Sequence, residues 1–135
     1  MKSMDSKQLI AGVMDALAKG DRHPLFDAMA EDVSWRWMGV KDWSRTFEGK
    51  DQVINGLFGG VDDSLDASDS TTNVRGIYGD GDVVVVEHSG ENRTPDGRTY
   101  NNNYCWVIGM RGDKIHEVRE YLDTLLVEQT FNAGS

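Results

Sequence analysis

A chain of 135 residues is long enough for one domain with a real core and too short for two comfortable ones. Its formal net charge of −9 lacks the cationic footprint that nucleic-acid phosphates require, and no window approaches the ~20 apolar residues of a membrane helix. The single cysteine, Cys105, excludes an internal disulfide and reads as a buried, inert thiol in an aromatic strand.

The opening MKSMDSKQ has no apolar signal region, so a cytoplasmic protein is expected. Asp5 or Ser6 can cap a first helix, with Leu9, Ile10, Val13, Met14 and Leu17 on one broad face and Gly20 ending it. His23-Pro24 restarts a short helix with proline near its first position. Residues 33–38 then read as a strand, placing Trp35 and Trp37 on one face and Ser34 and Arg36 on the other. A loop carrying Trp43 follows. Asp51 is expected to cap a third helix bearing Val53, Ile54, Leu57 and Phe58, which Gly59-Gly60 should stop. The acidic stretch 62–70 reads as a surface loop or edge strand.

From Asn73 the pattern changes. Residues 74–78, 83–93, 98–110 and 115–123 read as strands, separated by the turn signals Gly79-Asp80-Gly81-Asp82, Pro95-Asp96-Gly97 and Arg111-Gly112-Asp113. The tail 124–131 has room for a last turn of helix. Helices first and hairpin-linked strands after them predict one α+β domain over residues 1–135. Its curved, largely antiparallel (mixed) sheet would carry the N-terminal helices on its concave face, around a cone-shaped hollow.

In the last strand, Val118 and Leu122 belong to the core face, and Glu120 lies between them with the same parity. An acid at that place asks for a reason. The order of elements resembles the nuclear transport factor 2-like superfamily, and within it the SnoaL-like and ketosteroid-isomerase-related groups. The stretches that carry the resemblance are 29–33 (MAEDV), 47–51 (FEGKD), 96–101 (DGRTYN), 112–115 (GDKI) and 118–123 (VREYLD), in that order. It implies an acidic side chain of the last strand presented into the cone, here Glu120, as general acid or base.

Carrying the resemblance to the other strands gives Trp35, Trp37, His88, with Gly90 beside it, then Asn102, Tyr104 and Trp106 as the lining. It implies a small hydrophobic molecule as ligand and no cofactor, while three scattered histidines and one cysteine make no credible metal site. His88 is then the proton-transfer partner of Glu120 if the two touch, and Glu87 is the alternative inward group if the register slips by one residue. Glu120 held by Tyr104 or Asn102 as a purely structural acid is the competing reading. Other residues depart from the related enzymes. Trp35 and Trp37 stand where epoxide hydrolases of this fold hold water with tyrosine and asparagine, and His88 and Gly90 stand where those enzymes place arginine and aspartate. Trp37 also replaces the proton-shuttling aspartate of steroid isomerases. Epoxide hydrolysis is therefore not expected, and a comparison with polyketide cyclases survives best. A cofactor-independent cyclase, isomerase or lyase acting on a carbonyl compound leads. A non-catalytic binding protein and an assembly domain compete with it. Related folds pair as homodimers through the outer sheet face, where Val83 and Val85 would lie.

Overall fold

The computed structural model describes residues 5–131. Asp5 caps α1 (Ser6–Ala18) by accepting from the Gln8 N–H at 2.8 Å, and α1 buries Ile10, Val13 and Met14. α2 (His23–Ala28) begins with Pro24 and leads straight into β1 (Met29–Met38), which is longer at its start than alternation alone predicts. A single 3-10 turn at Lys41–Trp43 connects to β2 (Ser44–Glu48), an edge strand where the sequence suggested only loop. Its one buried side chain is Phe47, too sparse a pattern to announce a strand.

The third helical segment departs from expectation at both ends. Asp51 has helical backbone angles and makes no side-chain cap, so the helix begins before it. A π-helical stretch, Gln52–Phe58, runs directly into α3 (Gly59–Ser64). Gly59 sits at φ −61°, ψ −39° and continues the helix. Two glycines cost helix propensity of about 1 kcal/mol each, yet Val53, Leu57 and Phe58 before them and Val61 after them all pack on the core. Packing wins over propensity. Part of the acidic stretch is thus helical, and a 3-10 turn at Ala67–Asp69 completes the approach to the sheet.

The remaining strands are β3 (Thr71–Asp80), β4 (Val83–Arg93), β5 (Thr99–Arg111) and β6 (Lys114–Leu122), followed by α4 (Thr124–Phe131). The three hairpins turn at Gly81, Gly97 and Gly112, each with positive φ. The six strands form one sheet in the order β2-β1-β6-β5-β4-β3. Every neighbouring pair is antiparallel except β1 and β6, which run parallel, so the sheet is mixed. The helical segments cover the concave face, with core side chains from α1, α2 and the third helix meeting those of β1, β4, β5 and β6. The α+β architecture expected from the sequence is present. No helix among the described residues is long and apolar enough to cross a membrane.

Candidate functional site

Strand register sets the site in rows. One row crosses the sheet through Arg45, Trp37, Glu120, Trp106 and Val86, each opposite the next. The row on one side holds Phe47, Trp35, Val118, Ile108 and Val84. The row on the other holds Leu122, Tyr104 and His88. Since side chains alternate, residues two apart share a face. All of these stand on the concave side, with Glu120 near the middle.

Above them is a partly open cavity of about 400 Å³, within the usual size for small-molecule sites. All four tryptophans of the chain, Trp35, Trp37, Trp43 and Trp106, line it, together with Phe47, Phe58, His88, Gly90, Tyr100, Tyr104 and Glu120. α4 closes one side with Val127 and Phe131, and the third helix closes another with Leu57, Phe58 and Val61. The rings interlock edge to face. Trp35 meets Trp106 at 4.9 Å and Phe58 at 5.5 Å between centroids, and Trp37 meets Phe47 at 5.1 Å.

Glu120 is 7% exposed and accepts two indole hydrogen bonds. Trp106 Nε1 donates to Oε2 at 2.7 Å, and Trp35 Nε1 donates to Oε1 at 3.3 Å. Burial raises its pKa, and the two indole donors, Trp106 first and then Trp35, oppose that shift by stabilising the carboxylate. An indole N–H only donates. A proton added to Glu120 therefore finds no acceptor in the indoles that hold it.

His88 is 7% exposed. Its ring stacks on Tyr104 at 5.2 Å and meets Trp106 edge to face at 4.3 Å, and Nε2 has no hydrogen-bond partner. Burial pushes its pKa down to about 4, so the imidazole is neutral at physiological pH. No hydrogen bond links it to Glu120, which is engaged by the indoles. The contact on which a direct proton-transfer pair depends is not made, because Trp106 occupies the cross-strand position beside Glu120 and packs against His88. Glu87 lies on the opposite face, paired with Cys105, so the register has not slipped. Cys105 is itself only half-buried on that outer face, a correction to the buried thiol expected above. Burial and the Glu87 carboxylate raise its pKa and keep it a thiol.

Asn102 is 2% exposed but does not line the cavity. Its amide donates to Tyr100 Oη at 2.9 Å and to the Asp123 carbonyl at 3.1 Å, while its oxygen accepts the Asp123 N–H at 3.2 Å. It ties β5 to the start of α4. Nor does Glu120 bond to Asn102 or Tyr104. The Tyr104 hydroxyl donates to Tyr100 Oη at 3.3 Å, and burial leads the causes that hold the pKa of both phenols above the usual value.

Several lining residues escaped sequence reading. Tyr100 continues the period-two series of Asn102, Tyr104 and Trp106 and was legible on that ground. Phe47 and Arg45 alternate correctly but lie on the unrecognised edge strand. Trp43 is brought in by a hydrogen bond from its indole N–H to Glu128 of α4 at 2.8 Å, which nothing local could reveal.

The model of the SnoaL-like domain family matches residues 10–118. The chain belongs to the SnoaL-like family. No curated protein matches this SnoaL-like chain in sequence. Among solved structures, it is similar to a nuclear transport factor 2-like protein from Burkholderia thailandensis E264, with a TM-score of 0.82 and 19% identity over 95% of this chain and 98% of that one. It is also similar to a Jannaschia sp. CCS1 protein proposed to be a SnoaL-like polyketide cyclase, with a TM-score of 0.75 and 15% identity over 100% and 98% of the two chains. A third likeness is to a Bacillus subtilis protein proposed to be an isomerase, with a TM-score of 0.72 and 20% identity over 94% and 92%. These establish the nuclear transport factor 2-like fold of the SnoaL-like chain, and at such identities they speak to fold alone.

Proposed function

We propose that the protein is a cofactor-independent catalyst of proton transfer on a small, ring-containing carbonyl compound, of the isomerase, cyclase or lyase type, with Glu120 as general acid/base. The observation that carries this reading is the placement of Glu120: one buried carboxyl at the floor of an aromatic cavity, restrained only by N–H donors. A carboxyl whose pKa is raised is a better base when ionised and can return the proton it has taken. The aromatic walls suit a planar substrate. They would hold a carbon α to a carbonyl above Glu120, which takes the proton and returns it elsewhere on the resulting enolate. His88 is neutral and its unpaired Nε2 is buried, so it is given a place in the wall and no part in the proton transfer. Epoxide hydrolysis is not proposed, since Trp35 and Trp37 occupy the water-holding positions.

The test is deuterium exchange into 2-tetralone in D₂O, followed by proton NMR. The protein should accelerate loss of the α-proton signals, and Glu120→Gln should slow it by roughly 100-fold or more. Binding without acceleration would sink the catalytic reading. It would leave the second one, a carrier or sensor that uses the same cavity, which the existing Glu120–indole hydrogen bonds also favour.

A further inference from the structure

We infer that the ligand of this cavity is an aromatic compound bearing a carboxylate, and that Arg45 at the cavity rim is the residue that selects for that charge. The inference rests on the cavity reading above and adds the chemical class of the ligand. Its first support is a local reversal of charge. The whole chain carries −9, yet the charged residues lining the cavity are Arg22, Arg45 and Glu120. Glu120, with its ionised form disfavoured by burial, opposes an incoming anion weakly.

The two arginines are not equivalent. Arg22 Nη1 donates to both carboxylate oxygens of Asp62, at 2.8 and 3.0 Å, so its charge is already answered. Arg45 has no carboxylate partner among the described residues. Its guanidinium lies 4.3 Å from the centroid of Phe47, whose ring packs edge-on against Trp37. A guanidinium at that distance from a ring of the aromatic wall is positioned by it, and no hydrogen bond or ion pair to a described residue occupies its N–H groups. Of the carboxylates bonded to lining residues, Asp62 pairs with Arg22 and Glu128 accepts from Trp43.

Register fixes where such an anion would lie. Arg45 and Glu120 are the two flanking partners of Trp37, so their backbones are two strand spacings apart, roughly 10 Å. A planar ligand lying along the Trp37 indole would place its carboxylate on the guanidinium and its opposite end over Glu120. The charged end thus anchors and orients, and the neutral end reacts.

The experiment is calorimetric titration of 2-naphthoate against 2-naphthamide, which match in shape and differ in charge, with tryptophan emission reporting entry into the cavity. The naphthoate should bind about tenfold tighter, and added NaCl should weaken its binding but not that of the amide. Arg45→Gln should bring the ratio of the two affinities close to one, and Arg45→Lys should restore part of the preference. Equal affinities for the two probes, a preference that survives Arg45→Gln, or a preference removed only by Arg22→Gln would overturn the assignment and leave the cavity reading intact. If neither probe binds or perturbs the tryptophans, the ligand class and the cavity reading both fall.

Discussion

Trp106 and Glu120 face each other across neighbouring strands, and the indole N–H of the first reaches Oε2 of the second at 2.7 Å. The bond favours the ionised carboxylate, against a burial that favours the protonated one. Its removal should therefore move proton affinity in a known direction. Trp106→Phe, which keeps a ring and deletes the donor, should raise the Glu120 pKa further. Titration of the Glu120 side-chain carbon by 13C NMR measures the shift, and an unchanged or lowered value would contradict this account of the site. The acceptor left unpaired should cost about 1–3 kcal/mol of stability at neutral pH.

His88 predicts an acid-side loss of stability. Its folded-state pKa of about 4 lies below the ordinary 6.5, so the unfolded chain binds the extra proton first as pH falls. Stability from this group is complete above pH 6.5, drains away between 6.5 and 4, and amounts to about 3 kcal/mol. Glu120 runs the other way. Its raised pKa makes its contribution fullest below 4.5 and lost as pH rises through the folded value. Urea midpoints of the wild type and of His88→Leu, compared across pH 4 to 7, isolate the histidine: the wild type should lose stability relative to the variant steadily toward acid.

Asn102 separates packing from ligand binding. With four hydrogen bonds from one buried amide, counting the Asn103 N–H at 2.8 Å, Asn102→Ala should destabilise by about 2–4 kcal/mol. Because the amide does not line the cavity, affinity for an aromatic probe should change less than twofold in the protein that remains folded. A large affinity loss at unchanged stability would assign it to the site after all.

Gly39 marks a tight seam at the rim. A Cβ there would come within 2.7 Å of the Trp43 carbonyl oxygen and 2.9 Å of Thr124 Cγ2. The first of these is backbone and cannot swing aside. Gly39→Ala should cost about 1–3 kcal/mol by overpacking and should loosen Trp43 from Glu128, seen as a change in tryptophan emission without ligand.

The convex face of the sheet leaves Tyr78, Val83 and Tyr121 exposed at 54%, 42% and 43%. A second copy of the chain is the occupant we propose for that face. Light scattering at micromolar concentration should give twice 15.1 kDa, and Val83→Asp should shift the mass toward the monomer. A monomeric wild type would end the proposal.

What the sequence made legible follows from how locally each feature is encoded. Alternation within each strand grouped Trp35 with Trp37, Tyr104 with Trp106, and Glu120 with Val118 and Leu122, because parity needs no knowledge of partners, and the family resemblance put these sets on one face. The hairpin turns were visible because positive φ narrows the choice to few residues. The failures are non-local. β2 has too few apolar residues to announce itself, and its place is set by pairing with β1. Gly59-Gly60 reads as a stop, and only the packing of Phe58 and Val61 shows why the helix continues. Asn102 shares parity with the lining, yet Tyr100 and Asp123 capture its amide before any ligand could.

The parallel pairing of β1 with β6 has a consequence for how the molecule comes into being. Trp35 and Glu120 are 85 positions apart, and β6 is the strand that joins the β2-β1 ribbon to the β5-β4-β3 meander. Until β6 is added, the strands of the first 111 residues can pair only as two separate groups, β2-β1 and β5-β4-β3. The segment that carries the acid is also the one that welds them, so no intermediate lacking β6 owns a working floor. Completing the sheet and placing Glu120 on the cavity floor are one and the same step.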